Sequence, residues 1–201
     1  MKKRPSIYSR PDKPLFTATH RRERFASVGA AQMAEPVVVD KTTECHVTPG
    51  DVAARMVGYL GPVGDYLTCE PSAGTGQLVR ALLASGHSRN ELTMIERHRT
   101  LALALEKLGT CINRCFLEYA EEAKGKIEFP RIIMNPPFRD VRKHIAAALS
   151  LLGRGGHGEP ATLVALVPIT FEHPEAETLE TLPNDTFATA KVNTKIIRIR
   201  R

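Results

Sequence analysis

The sequence lacks the features that would place it in a membrane or among secreted proteins. No uninterrupted apolar run approaches the ~18 residues of a transmembrane helix. The basic start, residues 1–5, is followed by no apolar segment, so we do not expect it to be a secretory signal. The four cysteines form no C-x-x-C pair, and Cys111 and Cys115 have no matching histidine pair. We therefore expect no metal site and a cytoplasmic protein with reduced thiols.

The composition is that of a folded domain with an extension. The chain has 201 residues, against ~150 for a typical domain. Apolar residues make up 42% of it, which is too many for a wholly disordered chain. Charged residues make up 25%, an ordinary share.

The net charge of +6 is concentrated at the N-terminus. Residues 1–24 contain eight lysines and arginines and two acidic residues, and the remaining 20 basic and 20 acidic residues cancel. Such basic segments often contact nucleic acid, although a solvated leader is the alternative. Residues 1–42 also contain four prolines and little periodicity. We interpret them as a mostly irregular basic arm, with a short helix near Arg21–Ala31, ahead of a domain over residues 43–201.

Beyond the arm, apolar runs of strand length alternate with amphipathic helical patterns. A first helix is predicted after Thr48, which would cap it, with Pro49 at its first position. Further helices are predicted around Leu78–Leu83, Leu101–Leu108 and Val141–Leu152. The predicted strands are Tyr66–Glu70, Leu92–Glu96, Cys111–Leu117, Arg131–Met134 and Thr162–Val167, followed by a hairpin of Thr186–Ala190 and Val192–Arg198. This order predicts a doubly wound α/β sheet, mostly parallel, with a C-terminal antiparallel hairpin.

Ligands of such a sheet bind at the carboxyl ends of its strands, where three motifs lie. In the first, Glu70–Gly76, two glycines allow the backbone to approach a ligand closely. The segment does not complete the dinucleotide-binding fingerprint, because Val79 occupies the position of the third glycine. It is not a Walker phosphate-binding loop either, because it lacks the lysine of that motif. The second motif is Glu96, 20 residues after Gly76. A carboxylate there can accept hydrogen bonds from both ribose hydroxyls of a nucleoside cofactor.

The third motif, Asn135-Pro136-Pro137-Phe138, ends the fourth strand. Pro136 and Pro137 each have a fixed φ angle, and Pro136 also restricts the preceding Asn135 to an extended conformation. The Asn135 side-chain oxygen and a backbone oxygen could then point at one place beside the ring of Phe138. Two acceptors beside an aromatic face suit a planar amino group, and a proline-stiffened loop without chemistry is the alternative.

These three motifs, in this order and spacing, resemble class I S-adenosylmethionine-dependent amino-methyltransferases, and among them the N6-adenine DNA methyltransferases. The resemblance covers about residues 44–201 and implies a Rossmann-like fold with S-adenosylmethionine as cofactor. It implies catalytic roles for Asn135, Pro136, Pro137 and Phe138. It implies cofactor binding by Thr48, Glu70, Pro71, Ala73, Gly74, Gly76, Glu96, Arg97, Cys115 and Phe116. Cys115 stands where that family usually has aspartate.

The resemblance implies methyl transfer to the N6 amino group of adenine in DNA, which would have to be flipped or single-stranded. No segment is long enough for a base-reading domain, so the arm and the basic C-terminus would contact phosphates. The alternatives are methylation of RNA, at guanine N2 or adenine N6, methylation of a protein glutamine amide, or a non-catalytic nucleic-acid-binding relative. The sequence indicates no oligomeric state.

Overall fold

The protein is described here by a computed structural model covering residues 47–187 and 191–201, with the backbone of Tyr8–Ser9 and Pro14–Leu15. The chain divides into two compact units, Met1–Glu44 and Cys45–Arg201. In the first unit, Tyr8–Ser9 pairs antiparallel with Pro14–Leu15. The helix predicted near Arg21–Ala31 lies outside the described residues.

The second unit is built on a seven-stranded sheet. Its strands are β1 (Thr68–Pro71), β2 (Leu92–Ile95), β3 (Thr110–Ile112), β4 (Arg131–Met134), β5 (Thr162–Pro168), β6 (Glu177–Leu182) and β7 (Thr194–Arg200). Their order across the sheet is β3-β2-β1-β4-β5-β7-β6. The first five strands are mutually parallel, and β7 runs antiparallel to both β5 and β6. The predicted doubly wound sheet with antiparallel strands at its C-terminal end is therefore confirmed.

Helices cover both faces of the sheet. They are α1 (Gly50–Leu60), α2 (Gln77–Ala84), α3 (Arg99–Leu105), α4 (Phe116–Ala123) and α5 (Val141–Leu151), and 3-10 turns occur at Arg89–Glu91 and Phe138–Asp140. The apolar stripes of α1, α2 and α3 pack on one face, and those of α4 and α5 pack on the other. Central strands need apolar side chains on both faces, which explains why β4 and nearly all of β5 are buried.

The predicted capping role of Thr48 is wrong. Helix α1 begins at Gly50, Pro49 is its N-cap residue, and no side chain within the described ranges caps it. The Thr48 hydroxyl oxygen instead accepts a hydrogen bond from Nδ2 of Asn135, at 3.0 Å. A capping pattern in the sequence specifies only local partners, and here a residue 87 positions away supplies the donor.

The third predicted strand is too long, and helix α4 was missed. Strand β3 ends at Ile112, and α4 starts at Phe116. The run from Cys111 to Leu117 contains enough apolar residues to suggest a strand. Phe116, Ala120 and Ala123 are the buried residues of α4, however, and their spacing of four and three is that of a helical stripe. Cys115 therefore lies at a helix N-terminus.

The predicted strand Thr186–Ala190 is also wrong. The strand that pairs with β7 is Glu177–Leu182, whereas Thr186 and Phe187 lie in the following loop, and residues 188–190 lie outside the described part of the chain. Strand β6 is an edge strand, and charged side chains such as Glu177 and Glu180 are common at sheet edges. Because of these charges, β6 contains no apolar run from which the strand could be predicted.

Candidate active site

The glycine turn between β1 and α2 depends on left-handed backbone at Ser72, Gly74 and Gly76, where φ is 61°, 55° and 75°. At Gly76 a side chain would also require Leu105 to shift, because a Cβ there would lie 2.5 Å from Cδ2 of Leu105. This turn brings the backbone of residues 72–76 to the carboxyl ends of β1 and β2, where Ala73 N–H donates to the Ile95 carbonyl at 3.0 Å.

Glu70 stabilises this turn through a hydrogen bond with helix α2. Its side chain is buried, and its Oε2 accepts a hydrogen bond from the Val79 N–H, in the first turn of α2, at 3.1 Å. A carboxyl group at a helix N-terminus satisfies an otherwise unpaired donor. Burial, with the charge of Glu96 nearby, raises the pKa of Glu70 well above its ordinary value. The structure thus gives Glu70 an architectural task in the turn.

Glu96 follows β2 and faces the same turn. Its Oε2 accepts from the Gly74 N–H at 2.8 Å, and its Oε1 accepts from the His98 N–H at 2.7 Å. The side chain is only 6% exposed. A carboxylate oxygen has two acceptor positions, so each oxygen can serve a backbone donor and a ligand hydroxyl together. The neighbouring Arg97 side chain is exposed.

Asn113 contributes to the site and was missed in the sequence. Its Nδ2 donates to the carbonyls of Glu96 and Arg97, at 2.8 and 3.0 Å. These bonds tie the chain leaving β3 to the chain leaving β2. An asparagine in a short turn carries no special signal, and only the adjacency of the two strands gives it this role.

The segment after Asn113 leads into a buried aromatic contact. Cys115 precedes α4 directly, and the ring of Phe116, 3% exposed, lies 5.8 Å from the ring of His144 on α5. Burial lowers the pKa of His144, which favours the neutral imidazole. Its Nδ1 is buried without a hydrogen-bond partner in the described part of the chain. Neither His144 nor this contact was predicted from the sequence.

The Asn-Pro-Pro-Phe motif lies directly after β4, beside β1. Asn135 Nδ2 donates to Thr48, so Oδ1 is the acceptor of this amide. Pro136 is buried, and the Pro137 carbonyl accepts from the Asp140 N–H at 3.2 Å.

Phe138 makes an edge-to-face contact with Phe187, with ring centroids 6.3 Å apart and planes at 78°. Phe187 is buried in the loop between β6 and β7. Edge-to-face contacts of this kind are favourable, so Phe187 stabilises the observed orientation of the Phe138 ring. Phe187 was predicted to lie in a strand, with no role at the site.

The structure thus brings the predicted residues to one edge of the sheet. Contacts join Thr48 to Asn135 and Gly74 to Glu96, and the parallel pairing of β1 with β4 places these two pairs side by side. Cys115 and Phe116 follow β3 at the same edge. Over residues 47–187 and 191–201, no three His, Cys, Asp or Glu side chains converge on a point where a metal ion could bind. None of the described helices combines the length and the apolar character needed to span a membrane.

Comparison with known proteins establishes the fold. No protein-family profile and no curated protein sequence matches the chain. Among solved structures, it is similar to the 23S rRNA methyltransferase ErmE, with 20% identity, a TM-score of 0.57, and coverage of 75% of this chain and 67% of that one. It is also similar to a candidate RNA methyltransferase from Pyrococcus horikoshii, with 16% identity, a TM-score of 0.54, and coverage of 79% and 85%. A third similar structure is magnesium protoporphyrin IX methyltransferase from Synechocystis with bound S-adenosylmethionine, with 14% identity, a TM-score of 0.51, and coverage of 76% and 79%. The chain therefore has the Rossmann-like fold of class I methyltransferases.

Proposed function

We propose that this protein is an S-adenosylmethionine-dependent N-methyltransferase acting on an exocyclic amino group of a nucleobase. The observation that carries the proposal is the position of Asn135-Pro136-Pro137-Phe138. The motif follows β4, and its neighbour β1 leads into the turn whose Gly74 binds Glu96. The proposed amino-group acceptor site and the proposed nucleoside site are therefore adjacent at one sheet edge.

The described residues fit S-adenosylmethionine at this edge. Glu96 would accept the ribose hydroxyls, and the backbone of Ala73–Gly76 would lie against the methionine part, near Thr48. Cys115 and Phe116, which follow β3 at the same edge, would lie near the purine ring. When bound, the cofactor supplies a methyl group on a sulfonium, which is a strong electrophile.

The residues of the acceptor motif would prepare the amino nitrogen for this methyl. An aromatic amine delocalises its lone pair into the ring and is a poor nucleophile. The acceptor atoms Oδ1 of Asn135 and O of Pro136 would hold its two N–H groups, which favours a tetrahedral nitrogen with its lone pair directed at the methyl. These hydrogen bonds strengthen as positive charge develops on nitrogen, so they act in the transition state. As the nitrogen–carbon bond forms, the carbon–sulfur bond would break to leave S-adenosylhomocysteine, and the nitrogen would then release one proton to solvent. Stacking on Phe138 would fix the ring, and alignment would supply much of the acceleration.

For the acceptor we propose adenine N6 in a nucleic-acid strand. The likeness of the motifs to N6-adenine DNA methyltransferases supports DNA. A specific observation favours RNA as the second candidate, because the fold is shared with an enzyme of 23S rRNA and with a candidate RNA methyltransferase. A base within a duplex cannot reach such a site, so either strand would be single-stranded or have its base flipped.

The test is transfer of labelled methyl groups to single-stranded DNA, RNA and protein, followed by identification of the modified nucleoside or residue. Label in N6-methyladenosine or its deoxy form supports the proposal, whereas label in a protein glutamine refutes it. Asn135→Ala should lower turnover by on the order of 100-fold, as for loss of one preorganised polar group, with little change in cofactor affinity. Asn90→Ala, an exposed asparagine ahead of β2, is the matched control and should behave as wild type.

A further inference from the structure

Two adjoining cavities, of about 390 and 580 Å³, lie along α5. They share the residues Arg142, Phe171, Glu172 and His173, and the larger one reaches Lys195 on β7. We call these two cavities together the basic groove. Its walls are α5, the loop that follows β5, and the face of β6 and β7 that the helices leave open.

The free charges of the groove are mainly positive. In the described part of the chain, neither Arg142 nor Lys195 pairs with a carboxylate. The nearby acids are neutralised instead: Glu175 pairs with Arg201 at 2.8 Å, and Glu177 pairs with Arg198 at 2.6 Å. Among the described residues that line the two cavities, Glu172 is the one acidic side chain. The groove is therefore complementary to an anion.

Arg142 is held in position for such a ligand. Its guanidinium lies 5.7 Å from the centroid of the Phe171 ring, within the range of a cation–π contact. Phe171 itself is buried, and its N–H donates to the Pro168 carbonyl at 2.9 Å. A guanidinium that already packs on a fixed ring loses less conformational entropy when it binds an anion. Its planar N–H donors match the geometry of phosphate oxygens.

The groove opens at the sheet edge that carries the acceptor motif. Arg142 is in the first turn of α5, four residues after Phe138. Met134 pairs with Ala165, and Val167 pairs with Lys195. Asn135 and Lys195 therefore lie at nearly the same level, two strand spacings or about 10 Å apart. The groove lies on the face of α4 and α5, whereas Phe138 packs with the face of α1, α2 and α3. A ligand bound along the groove would therefore pass over the carboxyl edge of the sheet to reach the acceptor motif.

We propose that the basic groove binds the phosphate backbone of the single nucleic-acid strand whose base enters the acceptor site. The inference rests on the proposed function and adds the path of the substrate. From Arg142 to Ser150 the groove follows α5 for about 12 Å, which is longer than one phosphate group. Contacts of this kind position a strand without reading its sequence.

The test is a salt titration of the affinity of the full chain for single-stranded DNA and RNA oligonucleotides of the same sequence. The variant Arg142→Glu/Lys195→Glu should reduce the log–log slope by about 1.4, since each phosphate contact with a single strand contributes ~0.7. The matched control is Arg89→Glu/Lys107→Glu, which makes the same charge change at exposed residues ahead of β2 and β3. The control should retain the wild-type slope. Glu172→Gln should act in the opposite direction and tighten binding at low salt.

Equal slopes in the groove variant and the control would overturn the inference, because net charge alone would then explain the binding. Calorimetry with S-adenosylhomocysteine distinguishes failure of the groove inference from failure of the proposed function. A wild-type protein that binds S-adenosylhomocysteine but no oligonucleotide refutes the groove and leaves the cofactor site standing. A wild-type protein that binds oligonucleotides with the expected slope but no S-adenosylhomocysteine retains the groove and refutes the proposed methyltransferase. Binding of phosphopeptides but not of oligonucleotides would assign the groove to a protein partner.

Discussion

Glu96 is the residue whose replacement most directly tests the cofactor site. Its two oxygens accept backbone hydrogen bonds at 2.8 and 2.7 Å, and in the proposed complex they would also accept the two ribose hydroxyls. A hydrogen bond to a charged group contributes about 1.5 kcal/mol or more. Glu96→Ala removes both ribose bonds, for a loss of about 3 kcal/mol, which corresponds to roughly 100-fold weaker binding. Glu96→Gln retains one acceptor oxygen, so the loss should be near tenfold.

Calorimetry with S-adenosylhomocysteine measures these affinities without requiring turnover. Glu96→Ala also leaves the N–H groups of Gly74 and His98 without an acceptor, which should lower the free energy of unfolding by about 2 kcal/mol. Binding is therefore measured well below the unfolding temperature of each variant. The control is Glu91→Ala, which removes the capping carboxylate just ahead of β2. It should cost stability without changing cofactor affinity.

The decisive result is an affinity for S-adenosylhomocysteine that decreases from wild type to Glu96→Gln and again to Glu96→Ala. If both Glu96 variants bind S-adenosylhomocysteine as tightly as the Glu91→Ala control, Glu96 serves only the backbone of the turn. If the wild-type protein itself does not bind the cofactor, the nucleoside site is refuted.

Three further predictions concern other parts of the molecule. The raised pKa of Glu70 means that the folded protein holds this proton more tightly than the unfolded chain, so its burial reduces stability progressively as pH rises above about 4.5. Glu70→Gln should therefore be more stable than wild type at pH 8, with the difference shrinking towards acidic pH, and urea unfolding across pH that shows no such convergence would contradict this. Phe138→Ala should weaken oligonucleotide binding by about 1–3 kcal/mol through lost stacking, with unchanged affinity for S-adenosylhomocysteine, and an equal loss in both titrations would indicate disruption of the whole site instead. Deleting residues 1–24 should flatten the salt dependence of duplex DNA binding by ~0.9 per lost phosphate contact and leave cofactor affinity unchanged, whereas an unfolded product would show that the segment supports the domain.

Much of the candidate site could be predicted because its chemistry is carried by short segments at strand ends. Strand β4 has the predicted bounds, Arg131–Met134, and the motif that follows it therefore lies at a carboxyl end. Glu96 likewise follows directly after β2. Parallel strands bring their carboxyl ends to one edge, so recognising the sheet was enough to place both motifs together.

The partners of these motifs could not be predicted in the same way. A hydrogen bond from Asn135 to Thr48 joins segments 87 positions apart, and the bond from Asn113 to Glu96 depends on the adjacency of β2 and β3. His144 is an ordinary position in an amphipathic pattern, and its meaning comes from the ring of Phe116 beside it. Side chains that act through packing leave no local signature.

The amino-acid sequence by itself determined the class of fold and the residue types at the candidate site, because period, glycine and proline act over a few neighbouring residues. Tertiary structure decided the insertion of β7 between β5 and β6, the residue at which α4 starts, and the cation–π contact of Arg142 with Phe171. Each of these depends on which distant segments pack together, since edge strands, helix termini and surface charges gain their stability from neighbours that are remote in the chain.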